Sequence, residues 1–112
     1  MKNKNTYKNG TLTFISYARK DEGTFVVGCD QLCLLVEETD AELAKWKALE
    51  KAKSYLRNVI ANDLGEHLLN QALPNEIWSE FVAYVSVEIG KTAHDSDGFE
   101  KWRTPISELI AA

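Results

Sequence analysis

The sequence has few cysteines and histidines. Among its 112 residues are only Cys29, Cys33, His67 and His94. Their spacing does not match a metal site such as paired CxxC units, so we predict no bound metal. Four extended residues separate two Cα atoms by more than the roughly 7 Å limit for a disulfide. We therefore expect both cysteines to be free thiols that pack as small hydrophobes.

Long hydrophobic runs are also missing. No stretch of about twenty apolar residues is present to span a bilayer. The first ten residues, MKNKNTYKNG, lack the apolar core of a secretory signal and end in the turn pair Asn9-Gly10. We expect a cytoplasmic protein, without membrane association, whose residues 1–10 are disordered.

Sequence signatures of catalysis are absent as well. The six glycines are scattered, whereas a phosphate-binding loop needs them clustered between a strand and a helix. No local signature joins Ser, Cys or Thr to a histidine and a carboxylate. We predict no catalytic residue and no cofactor.

The composition is that of one globular domain. Apolar residues make up 45% of the chain and charged residues 27%, close to average usage. The net charge of −4 disfavours nucleic acid and favours a basic partner or none.

The first third of the chain predicts an antiparallel meander. Residues 11–18, 24–29 and 32–37 are rich in β-branched and aromatic residues and are joined by short polar turns. One face of this three-stranded sheet is apolar and requires cover. That face carries Leu12, Phe14, Phe25, Val27, Leu34 and Val36.

A long helix is predicted next. Thr39 and Glu42 fit a capping box, and Gly65 is a C-terminal cap after residues 62–64. Apolar residues with helical spacing predict the face that packs on the sheet. They are Trp46, Leu49, Ala52, Leu56, Val59 and Ile60.

Beyond this helix the pattern predicts a short second helix over 66–73, broken by Pro74. Residues 82–89 alternate and are β-branched, which favours a strand, although Ile77, Phe81 and Val85 also have helical spacing. A strand here would join the sheet in parallel after the helical crossover, giving an α+β fold with β-β-β-α-α-β order.

The last residues are predicted to form a tail. His94–Gly98 is a polar loop, and Thr104-Pro105 marks the start of a short helix through Leu109. The predicted domain therefore covers 11–90, and 91–112 form its tail.

Three groups of side chains are candidates for binding. The acidic pairs are interpreted as solvated charge, as a docking rim for a basic partner, or as a metal site. A lysine-rich helix face suggests either a solvated surface or contact with phosphate. Among the tryptophans, Trp102 in the apolar tail is the best candidate for an interface. The acidic pairs are Asp21-Glu22, Glu37-Glu38 and Asp40-Glu42; the basic face is Lys45, Lys47, Lys51, Lys53 and Arg57; the other tryptophans are Trp46 and Trp78.

Two stretches resemble the HicB-like domain family. These are DEGTFVVGCDQLCLLVEETD, residues 21–40, followed by KALEKAKSYL, residues 47–56. LLNQALPNEIWSEF, residues 68–81, is similar to the segment that follows the helix in stand-alone members. The resemblance implies an RNase H-like domain without nuclease activity, which in toxin–antitoxin members neutralises a small basic RNA-cleaving toxin. Strand one carries no acidic residue for metal catalysis, and residues 91–112 are too short for a separate DNA-binding domain.

These observations lead to one main hypothesis and two alternatives. The main hypothesis is a non-catalytic, antitoxin-like module that binds a small basic protein through Asp21, Glu22, Glu37, Glu38 and Trp102. An alternative is a nucleic-acid-binding module that uses the exposed face of a three-stranded sheet. A third is a metal-dependent nuclease that uses Asp21 or Glu38. We also expect a homodimer or higher oligomer, because an open sheet edge and the apolar tail both need cover.

Overall fold

The computed structural model describes residues 4–91 and 99–111 as one sheet with helices on both of its faces. A short 3-10 helix, Glu66–Leu69, follows the first α-helix. Within these residues, no helix combines the length and the apolar character needed to cross a bilayer. The elements are β1 (Thr11–Arg19), β2 (Thr24–Cys29), β3 (Leu34–Glu38), α1 (Ala41–Ala61), α2 (Asn75–Lys91), β4 (Phe99–Pro105) and α3 (Ile106–Ala111).

The α+β class and the antiparallel meander are confirmed. The strand order is β3-β2-β1-β4, and all three pairings are antiparallel. β3 begins at Leu34, later than predicted, because the backbone turns over the preceding residues: the Cys33 amide donates to the Asp30 carbonyl at 3.0 Å, and Cys33 has a φ of 52°. Both cysteines are free, Cys29 buried and Cys33 exposed.

α1 covers the predicted apolar face of the sheet, but the helix residues that make the contact differ from the predicted ones. Asp40, not Thr39, is the N-cap, since its side chain accepts from the Glu42 amide at 2.9 Å. Trp46, predicted to face the sheet, is 60% exposed instead. Small residues at four-residue spacing bring the helix close to the strands. The buried stripe is Ala44, Ala48, Ala52, Leu56 and Val59.

The predicted strand over 82–89 is wrong, because these residues continue α2. Helical spacing puts Ile77, Phe81 and Val85 on one face, where they pack on Tyr17 and Val26 of the sheet. Residues 82 and 83 point to solvent, as a one-sided helix requires. The β propensity of single residues is a weak preference that this tertiary contact overrides.

The fourth strand is β4, and it runs antiparallel to β1, so the predicted parallel strand is also wrong. α1 returns the chain from the end of β3 to the start of β1, and α2 carries it back along the other face. Because the chain passes through two helices before it reaches β4, this strand runs in the direction opposite to that expected after a single crossover helix. Residues 99–105, predicted as tail, thus belong to the sheet, and the predicted C-terminal helix is α3, which buries Ile106 and Leu109. The predicted loop His94–Gly98 lies outside the described residues.

The described part of the N-terminal segment is held by hydrogen bonds, where the sequence predicted disorder. Asn5 is only 5% exposed. Its side-chain amide accepts from the Thr11 amide at 2.9 Å and donates to the Leu69 carbonyl at 2.9 Å. The Tyr7 hydroxyl donates to Asp63 at 2.8 Å. Residues 5–11 therefore link the start of β1 to the region that follows α1.

Candidate functional site

Most of the predicted acidic residues gather at one end of the molecule. Arg19 of β1 pairs with Thr24 of β2, and Phe25 pairs with Glu38 of β3, so the first turn and the end of β3 are neighbours. α1 begins three residues after β3. We call this region the hairpin end, and it carries Asp21, Glu22, Glu37, Glu38, Asp40 and Glu42.

Arg19 links two of the carboxylates across the sheet. Its guanidinium donates to Glu37 of β3 at 2.9 Å and to Glu80 of α2 at 2.8 Å. Glu80 also accepts from the Tyr17 hydroxyl, and Glu37 accepts from the Thr24 hydroxyl. This network joins α2 to three strands, so it has a structural role.

Hydrogen bonds set the protonation of this network. The Thr24 hydroxyl and the Arg19 guanidinium lower the pKa of Glu37. Burial acts to raise the pKa of Glu80, but hydrogen bonds from Tyr17 and Arg19 outweigh burial, and its pKa is lowered. Burial, together with the hydrogen bond to Glu80, raises the pKa of the Tyr17 phenol. At neutral pH the network therefore contains two carboxylates, one guanidinium and a neutral phenol.

Glu38 lies on the other face of β3 and forms a different ion pair. Lys47 of α1 approaches it at 2.7 Å. The predicted basic face of α1 is therefore interleaved with carboxylates: Lys45 pairs with Glu100 at 2.8 Å, and Lys53 lies 3.4 Å from Glu50. Such a face is a weak ligand for phosphate, because much of its charge is already balanced.

A groove of about 340 Å³ runs along the outer side of β3. Trp46 is the large exposed side chain at this groove, and Leu35 of β3 is 39% exposed. Since β3 pairs only with β2 among the described residues, its other backbone edge faces the groove. The groove is lined by Leu35, Val36, Glu37, Glu38, Trp46, Lys47, Glu50 and Lys51.

The two edges of the sheet differ in chemistry. β4 exposes Glu100, Lys101 and Arg103 and ends in Pro105. Charged residues and proline on an edge strand discourage pairing with another chain. β3 presents an exposed leucine, Leu35, and both Leu35 and the exposed Trp46 of α1 line the groove at this edge. The β3 edge is therefore the one that suits an added strand.

Trp102, the predicted interface residue, lies away from the acidic residues. It is on β4, opposite Phe14 of β1, and stacks on that ring with centroids 5.3 Å apart. The Lys45 ammonium lies 6.0 Å from the Trp102 ring centroid. Trp102 is therefore half-buried packing on the edge opposite β3, and the structure does not join it to Asp21, Glu22, Glu37 and Glu38.

Trp46 and the β3 groove were missed by sequence reasoning. The signal was present, because Ala44, Ala48 and Ala52 have four-residue spacing, and a residue two positions from Ala44 points away from that stripe. The sequence prediction placed the large apolar residues of α1 in the core, whereas the helix contacts the sheet through small side chains. The exposed position of Trp46 was missed for this reason.

Metal-dependent chemistry gains no support from the described residues. Within 4–91 and 99–111, no cluster of three or more His, Cys, Asp or Glu side chains is suited to hold an ion. Burial raises the pKa of the Cys29 thiol to about 12, which keeps it protonated and unreactive at neutral pH.

The sheet topology differs from the β-β-β-α-α-β arrangement with a parallel fourth strand that the sequence predicted. The meander and α1 agree with that expectation, whereas β4 is antiparallel to β1 and α2 covers the second face. Comparisons with protein-family models, with curated proteins and with solved structures found no match to this chain.

Proposed function

We propose that this chain is a non-catalytic protein-binding module of the HicB-like type, which docks a small basic protein in the manner of an antitoxin. The observation that carries the proposal is the convergence of the predicted acidic residues at the hairpin end. Six carboxylates lie there and Glu80 of α2 also binds Arg19, so with the three cations Arg19, Lys20 and Lys47 an excess of four negative charges remains (7 − 3 = 4). A surface of this sign speeds encounter with a basic partner and selects against acidic ones.

Asp21 and Glu22 are the residues at this end best suited to meet a partner first. Both lie in the exposed turn between β1 and β2. Glu37 and Glu38 contribute to the field but are already paired with Arg19 and Lys47. Truncating rim charges mainly changes the association rate and its salt dependence, so the turn acids should act in this way.

The nucleic-acid-binding alternative is less well supported, because helices pack on both faces of the sheet. It needed an exposed face on the three-stranded sheet, but α1 covers one face and α2 packs on the other, where Tyr17 and Val26 are buried. The nuclease alternative needed an ion between carboxylates, and Asp21 and Glu38 belong to no such cluster in the described residues. Protein binding is therefore the better-supported function.

The proposal is tested by co-expressing the chain with the product of its adjacent gene and purifying the complex. We expect a small basic protein that co-purifies at fixed stoichiometry and whose growth inhibition is relieved by this chain. An adjacent product that is not small and basic, or that neither binds nor is neutralised, overturns the proposal.

A pair of charge-reversed variants tests the docking surface. Asp21→Lys with Glu22→Lys should slow association about tenfold or more at low salt, with a smaller effect at high salt. The matched control is Glu76→Lys with Glu108→Lys, which changes the net charge equally, from −4 to 0 (−4 + 4 = 0), in the first turn of α2 and in α3, outside the hairpin end. Equal slowing by both variants would show that net charge, not the hairpin end, guides the partner.

A further inference from the structure

We infer that the β3 groove is the interface for a second copy of this chain, which pairs its own β3 antiparallel to the first and packs its α1 beside the first α1. This inference concerns a groove that shares Glu37 and Glu38 with the hairpin end, but it does not depend on the proposed function. It predicts a two-fold dimer with a continuous eight-stranded sheet, built from two sheets of four strands.

The free edge of β3 supplies the backbone half of this interface. β3 is the edge strand without a proline, and its two charged side chains, Glu37 and Glu38, are already held in ion pairs with Arg19 and Lys47. On the face opposite α1, helix α2 packs over β1 and β4 and leaves β3 accessible. A strand of identical sequence is able to approach in the sheet plane without displacing any described element.

The distance between α1 and the edge of the sheet supports the second half of the interface, the contact between the two α1 helices. α1 packs on β2 and β3, so we place its axis above this pair of strands. Strands are about 4.8 Å apart, which puts that axis about 4.8 Å from a two-fold axis just outside β3. A two-fold axis perpendicular to the sheet keeps both α1 helices on one face, about 10 Å apart, which matches the distance at which helices pack.

The side chains of the groove are complementary to themselves. Glu37, Glu38 and Glu50 lie among Lys47 and Lys51, so the lining holds three carboxylates and two ammonium groups. A strongly basic or acidic occupant gains little from such a mixture. In an isologous interface the same mixed set of carboxylates and ammonium groups faces itself, so charges of opposite sign are available on both copies.

Exposed apolar side chains are concentrated at this interface. Trp46 is 60% exposed and Leu43, three residues earlier on the same side of α1, is 38% exposed. Leu35 adds the apolar contact on the strand. Burying an aromatic residue at the centre of a contact contributes strongly to association, whereas scattered exposed residues contribute little.

The dimer is tested by sedimentation velocity of the purified full chain under reducing conditions, from about 1 µM to about 1 mM, the range that brackets a micromolar dissociation constant. The reductant removes any disulfide dimer formed through the exposed Cys33. We expect a reversible monomer–dimer equilibrium. A chain that stays monomeric over the whole range overturns the inference.

Matched variants locate the interface. Leu35→Lys and Trp46→Lys should each raise the dissociation constant about tenfold or more, since they place a charge at the predicted contact. Val82→Lys is the control, because Val82 is a 57% exposed apolar residue on α2. A dimer that resists both substitutions, or that Val82→Lys weakens equally, overturns the inference.

Hydrogen exchange gives a readout that needs no variant. Raising the concentration through the dissociation constant should slow amide exchange in residues 34–38 and leave residues 99–105 of β4 unchanged. Slower exchange in β4 instead would assign the contact to the other edge and contradict the proposed dimer.

Discussion

Asn5 is the residue on which the order of the described N-terminal segment depends. Its side chain satisfies the Thr11 amide and the Leu69 carbonyl, and its backbone amide donates to Asn70 at 2.7 Å. Gly10 makes room for it: a Cβ there would lie 2.2 Å from the Asn5 side-chain oxygen, and its φ is 138°. Sequence patterns did not predict this burial, because two of the partners of Asn5, Leu69 and Asn70, lie more than sixty residues away in the chain.

Replacing Asn5 with alanine should lower the free energy of unfolding by about 1–3 kcal/mol, the cost of leaving buried polar groups without partners. Urea denaturation followed by circular dichroism measures this change. Asn9→Ala is the control, as the Asn9 side chain is exposed, and it should change stability by less than about 0.5 kcal/mol. Equal losses in the two variants would contradict the role assigned to Asn5.

The two thiols should differ in reactivity. Cys33 is exposed, whereas Cys29 is buried with its pKa raised to about 12. Titration of the native protein with a disulfide reagent at pH 8 should modify one thiol quickly, and the second only after unfolding in urea. Cys33→Ser should remove the fast reaction; a fast reaction that persists in that variant would show that Cys29 is accessible.

At the scale of elements, α2 shows how tertiary contact chooses between two local patterns. Residues 82–89 alternate as a strand does, yet Phe81 at 8% exposure packs its ring against Tyr17, with centroids 6.1 Å apart. The helical face that includes Phe81 covers one side of the sheet that would otherwise be exposed to water. The gain from covering this face exceeds the small difference in propensity between helix and strand.

Phe81→Ala should destabilise the protein by about 3–5 kcal/mol, because it removes a large buried ring from the second core. The neighbouring change Val82→Ala should cost less than about 0.5 kcal/mol, since Val82 is 57% exposed. The pair is measured by chemical denaturation. A large effect at both positions would contradict the one-sided helix and favour a doubly buried segment.

At the scale of the whole molecule, the ion-pair network of Arg19, Glu37 and Glu80 makes the stability depend on pH. The folded state lowers the pKa of Glu37 and Glu80. A lowered folded-state pKa stabilises the protein above the unfolded pKa of glutamate, about 4.3, and this contribution is lost as the pH falls through the folded pKa values. Tyr17, with a raised pKa, acts in the opposite sense and loses its contribution as the pH rises above about 10.

Glu80→Gln should therefore reduce the loss of stability between about pH 5 and pH 3, because the amide still accepts hydrogen bonds but does not titrate. The free energy of unfolding is measured by urea denaturation across this range. Glu76→Gln, one helical turn earlier in α2, is the control and should keep the pH profile of the original chain. A profile that Glu80→Gln leaves unaltered would show that other carboxylates govern acid unfolding.

The candidate site was partly predictable at this scale. The position of Glu37 and Glu38 at the end of a strand, close to the turn acids, followed from the meander. The ion pair between Arg19 and Glu80 did not follow, because these two residues are 61 positions apart in the chain. Trp102 was assigned to an interface because its neighbours in the sequence are apolar, whereas its packing partner Phe14 lies on another strand.

The sequence by itself determined the elements whose pattern is local: the three-strand meander, α1, and the C-terminal helix α3. Alternation and helical periodicity are properties of neighbouring residues, so they can be recognised in the sequence without knowledge of the tertiary structure. Only the tertiary structure decided that residues 82–89 are helical, that β4 is antiparallel, and that Trp46, not Trp102, is the most exposed of these candidates. These outcomes depend on which distant surface remains to be buried, and that is set by the whole chain at once.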